Sequence, residues 1–176
     1  MNILWAPWRL KYIEKFNEKS EANEENECVF CKIAQEKNDD ANFVVTRSEH
    51  TFVVLNIFPY NTGHVMVVPY KHVPTIEDLT MDELKDLMRM TKLIVKALKK
   101  AYSPHGFNLG ANIGRDAGAG IEEHFHLHVL PRWRGDTNFM PTISNTKVIP
   151  EDLGTTLNKI RKALNEILRD ERALDL

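Results

Sequence analysis

The chain has 176 residues, 43% hydrophobic and 27% charged, with a formal charge of -2. That is enough for one domain with a real core and an ordinary balance for a soluble protein, and it offers no electrostatic case for nucleic acid or an anionic membrane as partner. No apolar run approaches the roughly 20 residues that span a bilayer, and Trp5, Pro7, Trp8 and Arg9 interrupt any signal-peptide core, so a cytoplasmic protein is expected.

Residues 1–27 read as an N-terminal arm and polar link. Trp5, Trp8, Tyr12, Ile13 and Phe16 stand among basic residues, suited to packing on the body of the protein or on a partner subunit. Residues 17–27, rich in Glu, Asn, Lys and Ser, bury too little surface to be more than a solvated connection. A short helix is expected from residue 28 to about 37, entered through Cys28-Val29-Phe30-Cys31. In a reducing compartment this C-x-x-C favours metal binding or redox chemistry over a structural disulfide.

Residues 43–46 and 51–55 are β-branched and aromatic and read as strands. A loop from Asn56 to Gly63, punctuated by Pro59, leads to a third strand over 63–69. Its unbroken apolar run suits a central position, and Pro69 ends it. Residues 75–101 form the clearest helix, with Thr80 and Glu83 as a capping box and a core stripe of Leu84, Leu87, Met88, Thr91, Ile94, Val95 and Leu98. Lys96, Lys99 and Lys100 suit its C-terminal end, and Pro104 and Gly106 terminate it. A fourth strand is expected over 107–113, followed by a glycine-rich loop over 114–120 that can present backbone N–H groups to phosphate. A last strand over 123–130 closes the sheet and stops at Pro131. Residues 131–150 look irregular, and an amphipathic helix over 152–172 packs on the same domain. Short strands, hairpin-like connections and one long inserted helix predict an antiparallel α+β domain spanning 28–150, with the C-terminal helix over 151–176.

The last strand carries His124-Phe125-His126-Leu127-His128-Val129-Leu130. Side chains alternate across a strand, so the three imidazoles share one face while Phe125, Leu127 and Val129 share the other. Three explanations compete: a strand that happens to carry histidines, a metal centre built from convergent imidazoles, and nucleophilic catalysis by a neutral imidazole.

This stretch resembles the signature of the histidine triad superfamily of nucleotide hydrolases and transferases. The likeness extends to Leu55-Asn56, to Gly63-His64-Val65 and to Asn112. Leu4-Trp5-Ala6-Pro7-Trp8-Arg9 and Pro131-Arg132-Trp133-Arg134-Gly135-Asp136-Thr137-Asn138-Phe139 are similar to the branch of diadenosine polyphosphate hydrolases and phosphorylases. The resemblance implies a homodimeric enzyme that cleaves a dinucleoside polyphosphate, or another adenosine conjugate, at an α-phosphate. In it His126 would be the nucleophile that carries the nucleotide covalently, with His128 and His64 on the phosphate oxygens. Asn56 would hold the ribose, Asn112 would contact the nucleotide, and Gly118 and Gly120 would cradle phosphate. It also implies structural zinc on Cys28, Cys31, His72 and His124, against the alternative of free buried cysteines. One departure stands out: Gly120-Ile121-Glu122-Glu123 occupies the place where many relatives carry Gln followed by Ser or Thr. Arg115, Arg132 and Arg134 are candidates to supply the leaving-group contact instead. The rival functions are a nucleoside phosphoramidate hydrolase, a metallohydrolase holding its ion on all three triad histidines, and a low-turnover nucleotide-binding sensor or scaffold.

Overall fold

The computed structural model describes residues 28–36, 38–137, 140–144 and 148–174. The expected N-terminal arm lies outside them. The larger of two units takes residues 28–136 and 149–176. It runs α1 (Val29–Gln35), β1 (Val44–Arg47), β2 (Thr51–Leu55), β3 (Val65–Pro69), α2 (Met81–Tyr102), β4 (Gly106–Gly110) and β5 (Leu127–Arg132). The smaller unit contributes the five-residue helix α3 (Met140–Ser144), where irregular chain is expected, and α4 (Leu153–Leu174) returns to the larger. The strands form one antiparallel sheet in the order β1-β2-β3-β5-β4. An α+β architecture with one long helix between strands and a further C-terminal helix is therefore what the chain adopts.

β2 and β3 are buried along their whole length because both faces of the sheet are covered. On one face Val53, Leu55, Val65, Val67 and Val129 meet Leu87, Ile94 and Leu98 of α2, with Leu157, Ile160 and Leu164 of α4 in the same cluster. On the other, Phe52, Val54, Met66 and Val68 pack around Phe30 of α1. Each fully buried Leu or Ile contributes about 1.5–3 kcal/mol relative to an exposed one, so the two long helices hold the sheet by its middle strands. The apolar stripe of α4, with Leu157, Ile160 and Leu164, is buried within the chain.

α2 starts at Met81 and not near residue 75, because Thr80 caps it: Thr80 Oγ1 accepts the Glu83 N–H (3.3 Å) and Glu83 Oε2 accepts the Thr80 N–H (2.7 Å). A single 3-10 turn (Ile76–Asp78) fills the residues before it. Within α2, Asp86 is buried and accepts from Ser48 Oγ (2.5 Å), the His50 N–H (3.0 Å), Thr51 Oγ1 (3.1 Å) and Arg89. It fastens the helix to the β1–β2 turn. α1 is held at its other end by Arg47 of β1, whose guanidinium donates to the carbonyls of Ile33 (2.9 Å), Ala34 (3.3 Å) and Glu36 (3.0 Å).

Two expectations about the histidine stretch need correction. β5 runs Leu127–Arg132, passing through Pro131 where a stop is expected. The Pro131 carbonyl accepts from Asn61 on the side away from β4, and in a strand the nitrogen faces the same way as the carbonyl. The N–H that proline lacks is therefore owed to no strand. Nor does β5 close the sheet. It is internal, between β3 and β4, and β4 is the edge, ending at Gly110 and short of the expected residue 113.

Candidate active site

Of the three alternating histidines only His128 lies within β5; His124 and His126 lie on the chain that leads into it. The alternation survives. Phe125 and Val129 join the cluster under α2 and α4, while Met66, opposite His128 on β3, belongs to the cluster around Phe30. Phe30 packs against His124 and His126 with ring centroids 5.4 Å and 5.1 Å away. All three imidazoles are buried, as is His64 at the entrance to β3.

Hydrogen-bond partners that can play only one role assign the ring protons. The His124 carbonyl lies 2.8 Å from His126 Nδ1 and can only accept, so that nitrogen carries hydrogen and the lone pair of His126 is on Nε2. The Tyr60 backbone N–H, 3.1 Å from His64 Nδ1, can only donate, so His64 is protonated on Nε2. His64 Nε2 then donates to His128 Nδ1 (2.9 Å), which leaves His128 with its proton on Nε2. The result is one imidazole with a bare Nε2 beside another offering Nε2–H, ring centroids 4.8 Å apart.

This pattern requires neutral rings, and burial supplies them. Desolvation, followed by the neighbouring imidazoles His128 and His126, pushes His64 down to about 3. Burial, then His126, pushes His128 down to about 4. His126 is also lowered by burial, against its bond to the His124 carbonyl. A neutral, desolvated imidazole retains the lone pair that nucleophilic attack needs.

His124 is turned toward a different cluster. Its Nε2–H donates to the Pro69 carbonyl (2.8 Å), so Nδ1 presents its lone pair to Cys28 Sγ (3.3 Å), Cys31 Sγ (3.7 Å) and His72 Nδ1 (3.3 Å). Cys31 Sγ is 3.2 Å from His72 Nδ1, and the four donor atoms all lie within 4.8 Å of one another. Tetrahedral zinc, with Zn–N about 2.0–2.1 Å and Zn–S about 2.3 Å, sets its donors about 3.3–3.8 Å apart. The two thiols and two imidazoles fit such an ion, and the Pro69 carbonyl is the kind of outer partner that fixes a ligating imidazole. Because His124 faces the cysteines, the three triad histidines do not converge on one metal.

The residues expected to meet nucleotide are less concentrated. Tyr60, Asn108, Gly110, Asn112 and His128 help to line a shallow pocket of about 200 Å³. Asn112 Nδ2 donates to the Gly118 carbonyl (3.1 Å) and so braces the glycine loop, where Gly118 takes a left-handed φ of 86°. Asn56 Oδ1 accepts the Phe58 N–H (2.9 Å), which leaves its amide nitrogen for a ligand. Asn56, Gly118 and Gly120 do not line the pocket. Glu122 and Glu123 are both exposed, outside the buried histidine row. Among the candidate arginines, Arg132 is held by Asp136 and by Asn108 Oδ1 (2.7 Å).

Sequence reasoning misses Tyr60 and Phe30. The first acts through a backbone N–H, which leaves no mark in the sequence. The second stands between the two cysteines and reads as ordinary core.

Among known proteins, the HIT domain family matches residues 37–135. The AP-4-A phosphorylase of Mycobacterium tuberculosis is 43% identical over 155 residues, covering 87% of this chain and 79% of that protein. The asymmetrical bis(5'-nucleosyl)-tetraphosphatase of Schizosaccharomyces pombe is 34% identical over 93 residues, 53% of this chain and 50% of its own. A hypothetical histidine triad nucleotide-binding protein of Sulfolobus tokodaii, solved by crystallography, has a TM-score of 0.66 at 27% identity. The match covers 80% of this chain and 93% of its own.

Proposed function

The chain belongs to the HIT domain family, and within it we propose an enzyme that cleaves dinucleoside polyphosphates at an α-phosphate through nucleotide held on His126. The observation that carries this is the His126 ring, whose Nδ1–H is fixed on the His124 carbonyl while Nε2 keeps its lone pair. His126 Nε2 attacks the α-phosphorus and a P–N bond forms. The P–O bond to the rest of the phosphate chain breaks, with its electron pair on the departing oxygen. His128 Nε2–H hydrogen-bonds that charge, and His64 keeps His128 in the donating tautomer. Inorganic phosphate, or water releasing a proton to solvent, then attacks the same phosphorus, and the P–N pair returns to Nε2. Relatives named phosphorylase and tetraphosphatase support the substrate class and both second steps.

Asn56 serves the ribose, and Asn112, Gly118 and Gly120 serve the phosphate chain. Cys28, Cys31, His72 and His124 hold structural zinc, which when bound supplies a cross-link between α1 and the chain leading into β5. His124 thus anchors the row and does not touch substrate. The assembly proposed is a homodimer, tested by sedimentation, and a cysteine pair used as metal ligands suits a reducing, cytoplasmic compartment. No helix of the described residues is long and apolar enough to cross a membrane.

Incubation with diadenosine tetraphosphate, with and without inorganic phosphate, tests the proposal. AMP plus ATP marks hydrolysis, and ADP plus ATP appearing only with phosphate marks phosphorolysis. A brief quench should yield protein adenylated on His126, and His126→Ala should bind nucleotide while losing most turnover. Retained turnover in that variant would sink the covalent step.

A further inference from the structure

The segment Arg132-Trp133-Arg134-Gly135-Asp136 has no part in the chemistry above, yet it holds the most heavily bonded carboxylate near the histidine row. The Asp136 side chain is 8% exposed. It accepts from Arg132 Nε (2.6 Å) and Nη2 (2.9 Å), from the Trp133 N–H (3.1 Å) and from Asn61 Nδ2 (2.8 Å). Asn61 is itself buried. Its Nδ2 also donates to the Pro131 carbonyl (3.1 Å), and its own carbonyl accepts the His64 N–H (3.2 Å). The turn between them passes through Gly63 at φ 74°. Asn61 therefore ties the turn that carries Tyr60 and His64 to the end of β5.

What that tie controls follows from the imidazole pair. A hydrogen bond between His64 Nε2 and His128 Nδ1 can run in either direction. If His128 donated, its Nε2 would become a lone pair facing phosphate, and His64 would carry hydrogen on Nδ1. The Tyr60 N–H forbids this, because two donors would then meet head-on. The direction of the pair thus depends on keeping one backbone N–H in place, and Tyr60 is the residue next to Asn61.

We propose that Asn61 and Asp136 are positioning residues for the reaction: they hold the Tyr60 N–H against His64 Nδ1 and so fix the tautomers of both His64 and His128. This rests on the reading that His64 and His128 serve the phosphate. The tautomers, however, can be measured without substrate, so failure of the clamp and failure of the assigned reaction are distinguishable.

The test uses the full chain with 15N-labelled histidine, comparing wild type, Asn61→Leu and Asp136→Asn by long-range 1H–15N correlation and by kinetics. In wild type His64 and His128 should both show protonated Nε2 and acceptor Nδ1, with His126 reversed as the internal reference. In Asn61→Leu the nitrogens of His64 and His128 should move to averaged positions while those of His126 stay fixed. In the same variant kcat should fall roughly tenfold or more, the scale of a misdirected acid–base group, with KM changing less than about threefold. Asp136→Asn keeps the volume and one acceptor oxygen and should show the same pattern more weakly; it carries the test if Asn61→Leu does not fold. Unchanged tautomers in a folded variant overturn the proposal, whatever happens to activity; averaged tautomers with kcat within twofold of wild type instead overturn the assigned roles of His64 and His128 in the reaction, and with them the positioning role.

Discussion

Lowering the pH to about 5 should destabilise the fold by about 4 kcal/mol through His64 and His128 alone. Burial pushes their imidazoles from the ordinary 6.5 down to about 3 and about 4. Both pKa values are depressed on folding and both groups are bases, so the unfolded chain takes up protons first. Stability is unaffected above about pH 6.5 and falls as the pH drops from there toward 4. One pH unit corresponds to about 1.36 kcal/mol per group, so at pH 5 each histidine has removed about 2 kcal/mol. Carboxylates titrate mainly below this window; Asp86, which burial raises but Ser48, Arg89 and the His50 N–H hold at about 2, does not contribute within it. With a urea m-value near 2 kcal/mol/M, the midpoint should move by roughly 2 M between pH 7.5 and 5. The control is His64→Gln, which cancels any shared effect of acid on the Cys28 cluster and should flatten the slope by about 1.4 kcal/mol per pH unit. A wild-type midpoint that moves less than half a molar, or an unchanged slope in His64→Gln, would show that these rings are not held neutral by burial.

Three other perturbations probe the scaffold. Asp86→Ala leaves the His50 N–H without its acceptor and reduces Ser48 Oγ and Thr51 Oγ1 to their bonds with each other and with the Thr51 carbonyl, which should cost about 1–3 kcal/mol, read as a fall in Tm with the α2 helical signal retained up to the transition. Gly63→Ala places a Cβ at φ 74° and 3.2 Å from Pro131 Cγ; a loss of about 1–3 kcal/mol is expected in urea unfolding, and a neutral result would mean that the turn relaxes. Arg47→Met removes the donor that closes the C-terminal end of α1, so zinc affinity, followed by competition with a chromogenic chelator, should drop about tenfold or more. Unaltered affinity would show that α1 holds its cysteines without help from β1.

Local periodicity made a good part of this molecule legible. The alternation at 124–128 predicts a face of imidazoles, and the structure keeps that face even though the ladder begins only at Leu127. The capping box at Thr80 and the stripe from Leu84 to Leu98 predict α2 because both act within a few residues. What escapes is whatever depends on closure of the chain. Nothing in the spacing of Cys28 and Cys31 names His72 and His124 as their companions; only the family resemblance did. Pro131 reads as a stop because sequence cannot show that β3 ends its pairing before reaching it. Asp86 reads as one more charge on a helix until the β1–β2 turn folds over it. The Asn61–Asp136 bond joins residues 75 positions apart, and no local rule would pair them.

The cysteine and histidine cluster gathers its four donors from α1, from the chain just past β3 and from the approach to β5, with 96 positions between Cys28 and His124. Bringing them together requires the sheet to have formed and α1 to have docked on it, since loop closure over that span precedes any gain from the contact. A zinc ion held there, as proposed above, would therefore arrive late in biogenesis, captured by a chain that is already nearly native. On that proposal, metal content would report on assembly as a whole. A lesion at Arg47 or at Leu157 of α4, remote from the four donors in sequence, would then show up as a protein that leaves purification under-loaded, long before its turnover is assayed.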